Sequence, residues 1–229
     1  MSKSVAHIFG GETKVKMMRL FIFNPAQAYE ISDVVSRTKE SPRQVRRELS
    51  ALIKSGLVRQ RGAGKSKGKG AKKKRGAVAR AQVRKTPLFT LNGDYPYLAP
   101  LADFLIDAAP ISEKEIMKKL SRTGTSVKLI LLAGVFTHDS ESRVDLLIVG
   151  DHLKKGSLVT AISQIEAELG KEIRYAAFET GDFRYRLSMY DKLIRDILDF
   201  PHQKILNKIG LAEQKQKNFL STPPSIGEN

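Results

Sequence analysis

Ser41-Pro-Arg43-Gln-Val45-Arg-Arg47-Glu-Leu49-Ser-Ala-Leu52-Ile-Lys54-Ser-Gly56 opens on a helix start signal and closes on a helix stop. Ser41 is placed to cap, and Pro42 suits the first helical position, where its missing N–H costs nothing. Gln44 stands at the third position to complete a capping box. Gly56 fits the left-handed residue that follows a helix end. At about 100° per residue, Val45, Leu49, Leu52 and Ile53 share one side. Arg43, Arg47, Ser50 and Lys54 share the other, with Gln44 and Arg46 on the flanks. The pattern predicts a helix with its apolar side in a core and a cationic side facing outward.

The flanks extend this reading. Upstream, residues 14–23 set Val15, Met18 and Ile22 on a helical stripe thickened by Leu20 and Phe21, and Asn24-Pro25 stops it. Ile31, Val34 and Val35 mark a second helix, followed by a break at Arg37–Glu40. Downstream, Leu57-Val-Arg-Gln-Arg61 reads as a strand and Arg84-Lys-Thr-Pro-Leu-Phe-Thr-Leu91 as its return. Between Arg59 and Lys85 stand twelve Lys/Arg and no Asp or Glu, which accounts for most of the net charge of +16. Such a segment repels itself and has nothing apolar to bury. Along a polyanion it releases a condensed counterion for each phosphate it neutralises. Gly64-Lys65-Ser66 is not a P-loop, because Arg59 stands where the first glycine belongs and no helix pattern follows.

Residues 14–91 thus resemble a winged helix-turn-helix domain, with bounds set at 12–92. The resemblance implies that the third helix enters the major groove of double-stranded DNA and that the hairpin, the wing, reaches over the adjacent backbone. Arg43, Gln44, Arg46, Arg47, Ser50 and Lys54 would face DNA. Lys65, Lys67, Lys69, Lys72, Lys73, Lys74 and Arg75 would contact phosphates. The departure is a long basic wing at 62–83, expected to be disordered without a partner.

A length of 229 residues suits two small domains or one large one. The chain has no cysteine, which excludes disulfides and thiolate metal sites, and its four scattered histidines disfavour zinc. No apolar h-region opens the chain and no apolar run is long enough for a bilayer, so a cytoplasmic protein without a membrane partner is expected.

The second half begins with turn chemistry at Asn92–Pro96 and a bridging helix from Tyr97 to Ile106 within a 93–111 linker. A capping box at Ser112–Glu115 starts a helix to about Leu120. Val127–Gly134 and Arg143–Val149 read as strands buried on both faces. A helix over Ser157–Leu169 stops at Gly170, Ile173–Phe178 is a third strand, and 180–199 is helical. This is an α/β (α+β) chain in which a small 112–207 domain with a mixed sheet precedes a flexible 208–229 tail. Leu131-Leu-Ala-Gly134-Val135, the nine residues to Val144, and then Asp145-Leu-Leu147 resemble the nucleotidyltransferase signature. Phe183-Arg-Tyr-Arg186 matches that family's Phe-x-x-Arg helix.

The resemblance implies divalent metals held by carboxylates at alternating positions of a strand. Gly134 and Asp145 match. Val135 replaces a small residue, Leu147 replaces the second carboxylate, and no acid lies within the third strand. The pocket therefore reads as degenerate and the chain as a non-enzyme without a cofactor, Mg²⁺ entering only if the loop acids Asp139, Glu141, Glu179 and Asp182 substitute. The expected function is a DNA-binding transcriptional regulator whose second domain serves dimerisation or ligand sensing. Leu101, Phe104 and Leu105 are candidates for a homodimer interface. The alternatives are an active transferase on nucleic acid or protein, and an RNA- or ribosome-associated basic protein.

Overall fold

In the computed structural model, residues 3–65, 85–107, 111–122, 126–137, 139 and 141–211 are described. They form a mixed α/β structure with two separate sheets, and the chain divides into two compact units. One comprises 1–123 with 155–172, the other 124–154 with 173–229. Residues 112–123 and 155–172, which the sequence suggested belong with the second half, group instead with the first unit.

The first unit starts with α1 (Lys3–Ile8) and α2 (Glu12–Ile22). Helix α2 is buried around most of its circumference, Lys16 and Arg19 included, and Val15, Met17 and Phe21 are fully buried. It is the hub against which most of the unit's other helices pack. Next come β1 (Ala28–Tyr29), α3 (Ile31–Thr38) and α4 (Pro42–Lys54). Helix α3 runs through the expected break as far as Thr38 and ends at Lys39 in a left-handed conformation, φ 58°. Strands β2 (Val58–Lys65) and β3 (Lys85–Leu91) form an antiparallel hairpin, and the order β1-β3-β2 completes a three-stranded sheet. Val34, Val45, Leu49, Leu52, Leu57 and Phe89 close the core over α2.

Asn92 locks the exit of the hairpin. Its backbone N–H donates to the Leu57 carbonyl at 2.8 Å and its amide to the Gly56 carbonyl at 2.7 Å. Helix α5 (Leu98–Asp107) follows, and Leu105 is wholly buried in this core. That corrects its assignment to a dimer surface: a side chain with no exposure has nothing to offer a partner. Phe104 remains 42 % exposed. Helix α6 (Glu113–Ser121) has both halves of its capping box, Ser112 and Glu115.

Helix α7 (Lys155–Leu169) completes this unit. Lys16 of α2 reaches Glu40 at 2.8 Å and Glu168 at 3.3 Å. The Asn24 amide donates to the Gly170 carbonyl at 2.7 Å, and Arg37 pairs with Glu172 at 2.7 Å. Arg19 is 1 % exposed, and burial pushes its guanidinium down to about 10 although Glu168 pulls the other way. Gly170 has φ +75°, and a Cβ there would lie 2.6 Å from the Arg19 backbone carbon. Only glycine lets the chain pass so close.

In the second unit β4 (Ser126–Leu132) runs antiparallel to β5 (Leu146–Asp151), and β5 runs parallel to β6 (Tyr175–Glu179). Helices α8 (Thr180–Ser188) and α9 (Lys192–Asp199) follow, then β7 (Gln203–Asn207), antiparallel to β4, giving the order β6-β5-β4-β7. The sheet is mixed, as expected, but β7 was not foreseen. Strand β5 begins at Leu146 rather than Arg143, and β6 at Tyr175 rather than Ile173. Leu129, Leu131, Leu147 and Val149 pack with Phe183, Ile194, Ile197 and Leu198. No helix among the described residues is long and apolar enough to cross a membrane.

Candidate functional site

Helix α4 presents its two faces as its periodicity predicts. Val45, Leu49 and Leu52 are buried, whereas Arg43, Gln44, Arg46, Arg47, Ser50 and Lys54 are all exposed. Ser41 caps the helix, accepting from the Gln44 N–H at 3.3 Å. The reciprocal half of the expected capping box is replaced: Gln44 Oε1 accepts from the Ser41 hydroxyl at 2.5 Å instead. One carboxylate escaped the sequence reading. Glu48 is 5 % exposed, and its Oε1 accepts from Arg47 Nε at 2.8 Å while Oε2 pairs with Lys14 at 3.4 Å. A guanidinium bound through Nε keeps its Nη edge free for a second bidentate contact. Its only sequence signal was an acid on an otherwise cationic helix.

At the hairpin, Arg59 pairs with Asp94 at 2.9 Å and Arg61 is exposed. Lys65 ends β2, in register with Lys85. Lys67, Lys69, Lys72, Lys73, Lys74 and Arg75 lie outside the described residues, as does most of the 62–83 segment.

The second cluster lies in the other unit. Asp145 is 2 % exposed and makes four hydrogen bonds. Oδ1 accepts from the Val135 N–H at 3.0 Å and from Arg174 Nη2 at 3.0 Å. Oδ2 accepts from the Arg174 N–H at 2.8 Å and from Arg174 Nε at 3.1 Å. A carboxylate offers about four lone-pair sites, so this one is saturated. Burial alone would push its carboxyl up; the Arg174 side chain and the two backbone N–H groups outweigh that and hold it below the usual carboxylate range. The Asp145 N–H donates to the Arg174 carbonyl at 2.7 Å and the Asp145 carbonyl accepts from Ala133 at 2.9 Å. Asp145 is thus a brace joining the end of β4 to the start of β6, which is why β5 starts one residue later.

Gly134, at φ +51°, is required by the same brace: a Cβ there would come within 2.1 Å of Asp145 Oδ1. Val135 contributes a backbone N–H, and Leu147 is fully buried within the apolar cluster rather than facing a pocket. Arg174 went unnoticed because a single basic residue ahead of a strand has no pattern.

The loop acids do not converge on Asp145. Glu179 accepts from the His152 and Leu153 N–H groups at 2.9 Å each. Asp139 accepts from the Glu141 N–H at 2.9 Å, and Asp182 is exposed. Phe183 is core, and Arg186 pairs with Asp191 at 2.9 Å and lies over the Phe178 ring. Among the described residues no group of three or more His, Asp or Glu is arranged to hold a metal ion. Compared with family models, curated proteins and solved structures, the chain returns no match.

Proposed function

We propose that this chain is a DNA-binding transcriptional regulator of winged helix-turn-helix type, with α4 as the reading helix and the β2–β3 hairpin as the wing. The observation that carries the reading is the division of α4. Six polar or cationic residues stand exposed on a helix whose other face is locked into the core. A hairpin interrupted by a densely cationic stretch follows directly. Helix and arm supply the two kinds of contact that duplex recognition needs, one to base edges and one to phosphates. Arg47, bound through Nε to Glu48, suits a bidentate contact to guanine.

The second unit acts in this reading as a non-catalytic scaffold resembling a nucleotidyltransferase domain. The saturated hydrogen bonding of Asp145 and the burial of Leu147 support it, since neither side chain is free to receive a cation.

Fluorescence anisotropy with labelled duplexes over a salt series tests the regulator reading. Deleting 64–75 should weaken all duplexes and flatten the salt dependence, each lost phosphate contact removing about 0.9 from the logarithmic slope. Arg47→Ala should instead lower preference for a selected site, by about 1–3 kcal/mol. Failure to bind any duplex at low salt, or structured RNA outcompeting every duplex at equal salt, refutes the reading.

A further inference from the structure

Helices α6 and α7 of the first unit flank an open groove of about 570 Å³ that neither the reading helix nor the arm explains. That volume falls within the range of about 300–1,000 Å³ typical of small-molecule sites. Seven of its eight lining residues are polar or charged, where such sites are usually lined by apolar side chains. From α6 and its C-cap come Glu115, Lys118, Lys119 and Arg122; from α7 come Ser157, Thr160, Ala161 and Gln164. Both sets follow i, i+3, i+4, i+7 spacing, so each is one continuous stripe.

The groove gathers three cations and two neutral donors. Lys118, Lys119 and Arg122 have no ion-pair partner among the described residues, and the Ser157 hydroxyl and Gln164 amide have no hydrogen-bond partner there either. The single facing carboxylate, Glu115, is engaged with the Ser112 N–H in the helix cap. Cations in the last turn of α6 are favoured by its macrodipole, which accounts for their place on that helix. It does not account for the hydroxyl and amide groups that line the same groove from α7.

We propose that the α6–α7 groove binds a phosphate-bearing small molecule. A di- or triphosphate carries several negative charges and many acceptor oxygens in one compact group. Arg122 supplies the planar fork suited to phosphate, and the two lysines supply point charges. Ser157 and Gln164 complete the donor set. The cations are concentrated at one spot, whereas a site for a nucleic-acid strand tracks its backbone along an extended groove. The ligand would be an effector, and its site shares no residue with α4 or with the braced Asp145 cluster.

The test is amine acetylation of the full-length protein followed by mass spectrometry, with inorganic tripolyphosphate, ATP or a duplex as separate additions. Lys192, exposed in the other unit, is the internal reference. Because labelling follows the unoccupied fraction, tripolyphosphate or ATP at ten times its Kd should slow Lys118 and Lys119 roughly tenfold relative to Lys192. Protection by ATP or tripolyphosphate supports the site, and the better of the two identifies the ligand class.

Tripolyphosphate should also raise the melting temperature, and Lys118→Gln/Lys119→Gln/Arg122→Gln should abolish that rise. Should the triple variant fail to fold, Ser157→Glu sets a like charge in the groove from α7 and should abolish it too. Unchanged labelling with both small ligands overturns the proposal, as does protection by the duplex alone or an undiminished melting shift in the variants. Binding to duplex DNA is a separate measurement, so loss of the regulator reading leaves this one standing.

Discussion

Gly134→Ala is the substitution whose cost can be built most completely from geometry. The residue sits at φ +51°, where an L side chain costs about 1–2 kcal/mol. Its new methyl would lie 2.1 Å from Asp145 Oδ1 and 3.1 Å from Asp145 Cγ. The obstacle is not the loose end of a flexible chain, because that carboxylate is held from four directions. Moving Oδ1 sacrifices the Val135 N–H contact and the Arg174 Nη2 contact. Hydrogen bonds to a charged group contribute about 1.5–3 kcal/mol each, so losing one or both brings the total to about 2.5–8 kcal/mol for this unit.

Asp145→Ala alone should cost about 2–5 kcal/mol, mainly through the two backbone N–H groups left unpaired. Arg174, 56 % exposed, can turn to water. In the Asp145→Ala background, Gly134→Ala should then cost only the backbone strain of about 1–2 kcal/mol. The four proteins are compared by urea unfolding followed by far-UV circular dichroism, with separate transitions fitted for the two units. A coupling of at least about 1.5 kcal/mol is expected. If Gly134→Ala costs the same in both backgrounds within about 0.5 kcal/mol, the clash is not what selects glycine and the brace is misassigned.

Other perturbations follow from the same contacts. Gly170→Ala, whose Cβ would meet the Arg19 backbone at 2.6 Å, should destabilise the first unit by about 2–5 kcal/mol, read as faster amide exchange in both α2 and α7. Ser41→Ala should cost about 1 kcal/mol in the same unit by thermal unfolding, through loss of the α4 cap. Because the Asp145 carboxyl is held below its ordinary value of 3.8, its contribution is present above that pH and is lost as pH falls through the lower folded value. Asp145→Asn should therefore flatten the acid limb of a stability-against-pH curve and leave the neutral-to-alkaline part parallel to wild type.

What could be read in advance was local. Ser41-Pro42, the Val45–Leu52 stripe and the Ser112–Glu115 box announce themselves within a few residues, because caps and helical periodicity depend on near neighbours. Strand β7 did not announce itself: Gln203-Lys-Ile-Leu-Asn207 has two apolar residues and becomes a strand by pairing with β4, more than seventy positions earlier. Strand β1 is two residues long and exists only against β3. At the candidate sites the residue types were legible but their bonding was not. Asp145 stood out as a candidate ligand, yet its role depends on Arg174, twenty-nine residues later. Glu48 was invisible among arginines because its burial depends on Lys14 and the packing of α4 on α2.

The interleaving of the two units along the chain constrains their biogenesis. During synthesis the first unit lacks α7 until Glu172 has emerged, although its other helices and its hairpin precede Thr123. The edge of β4 has no β7 beside it until Asn207 is made. A nascent chain halted after Leu132 but before Glu172 would offer a bare strand edge and an uncovered helix surface together, the combination that invites aggregation. Splitting the gene at residue 123 should accordingly yield two poorly behaved fragments that recover their shape only when co-expressed.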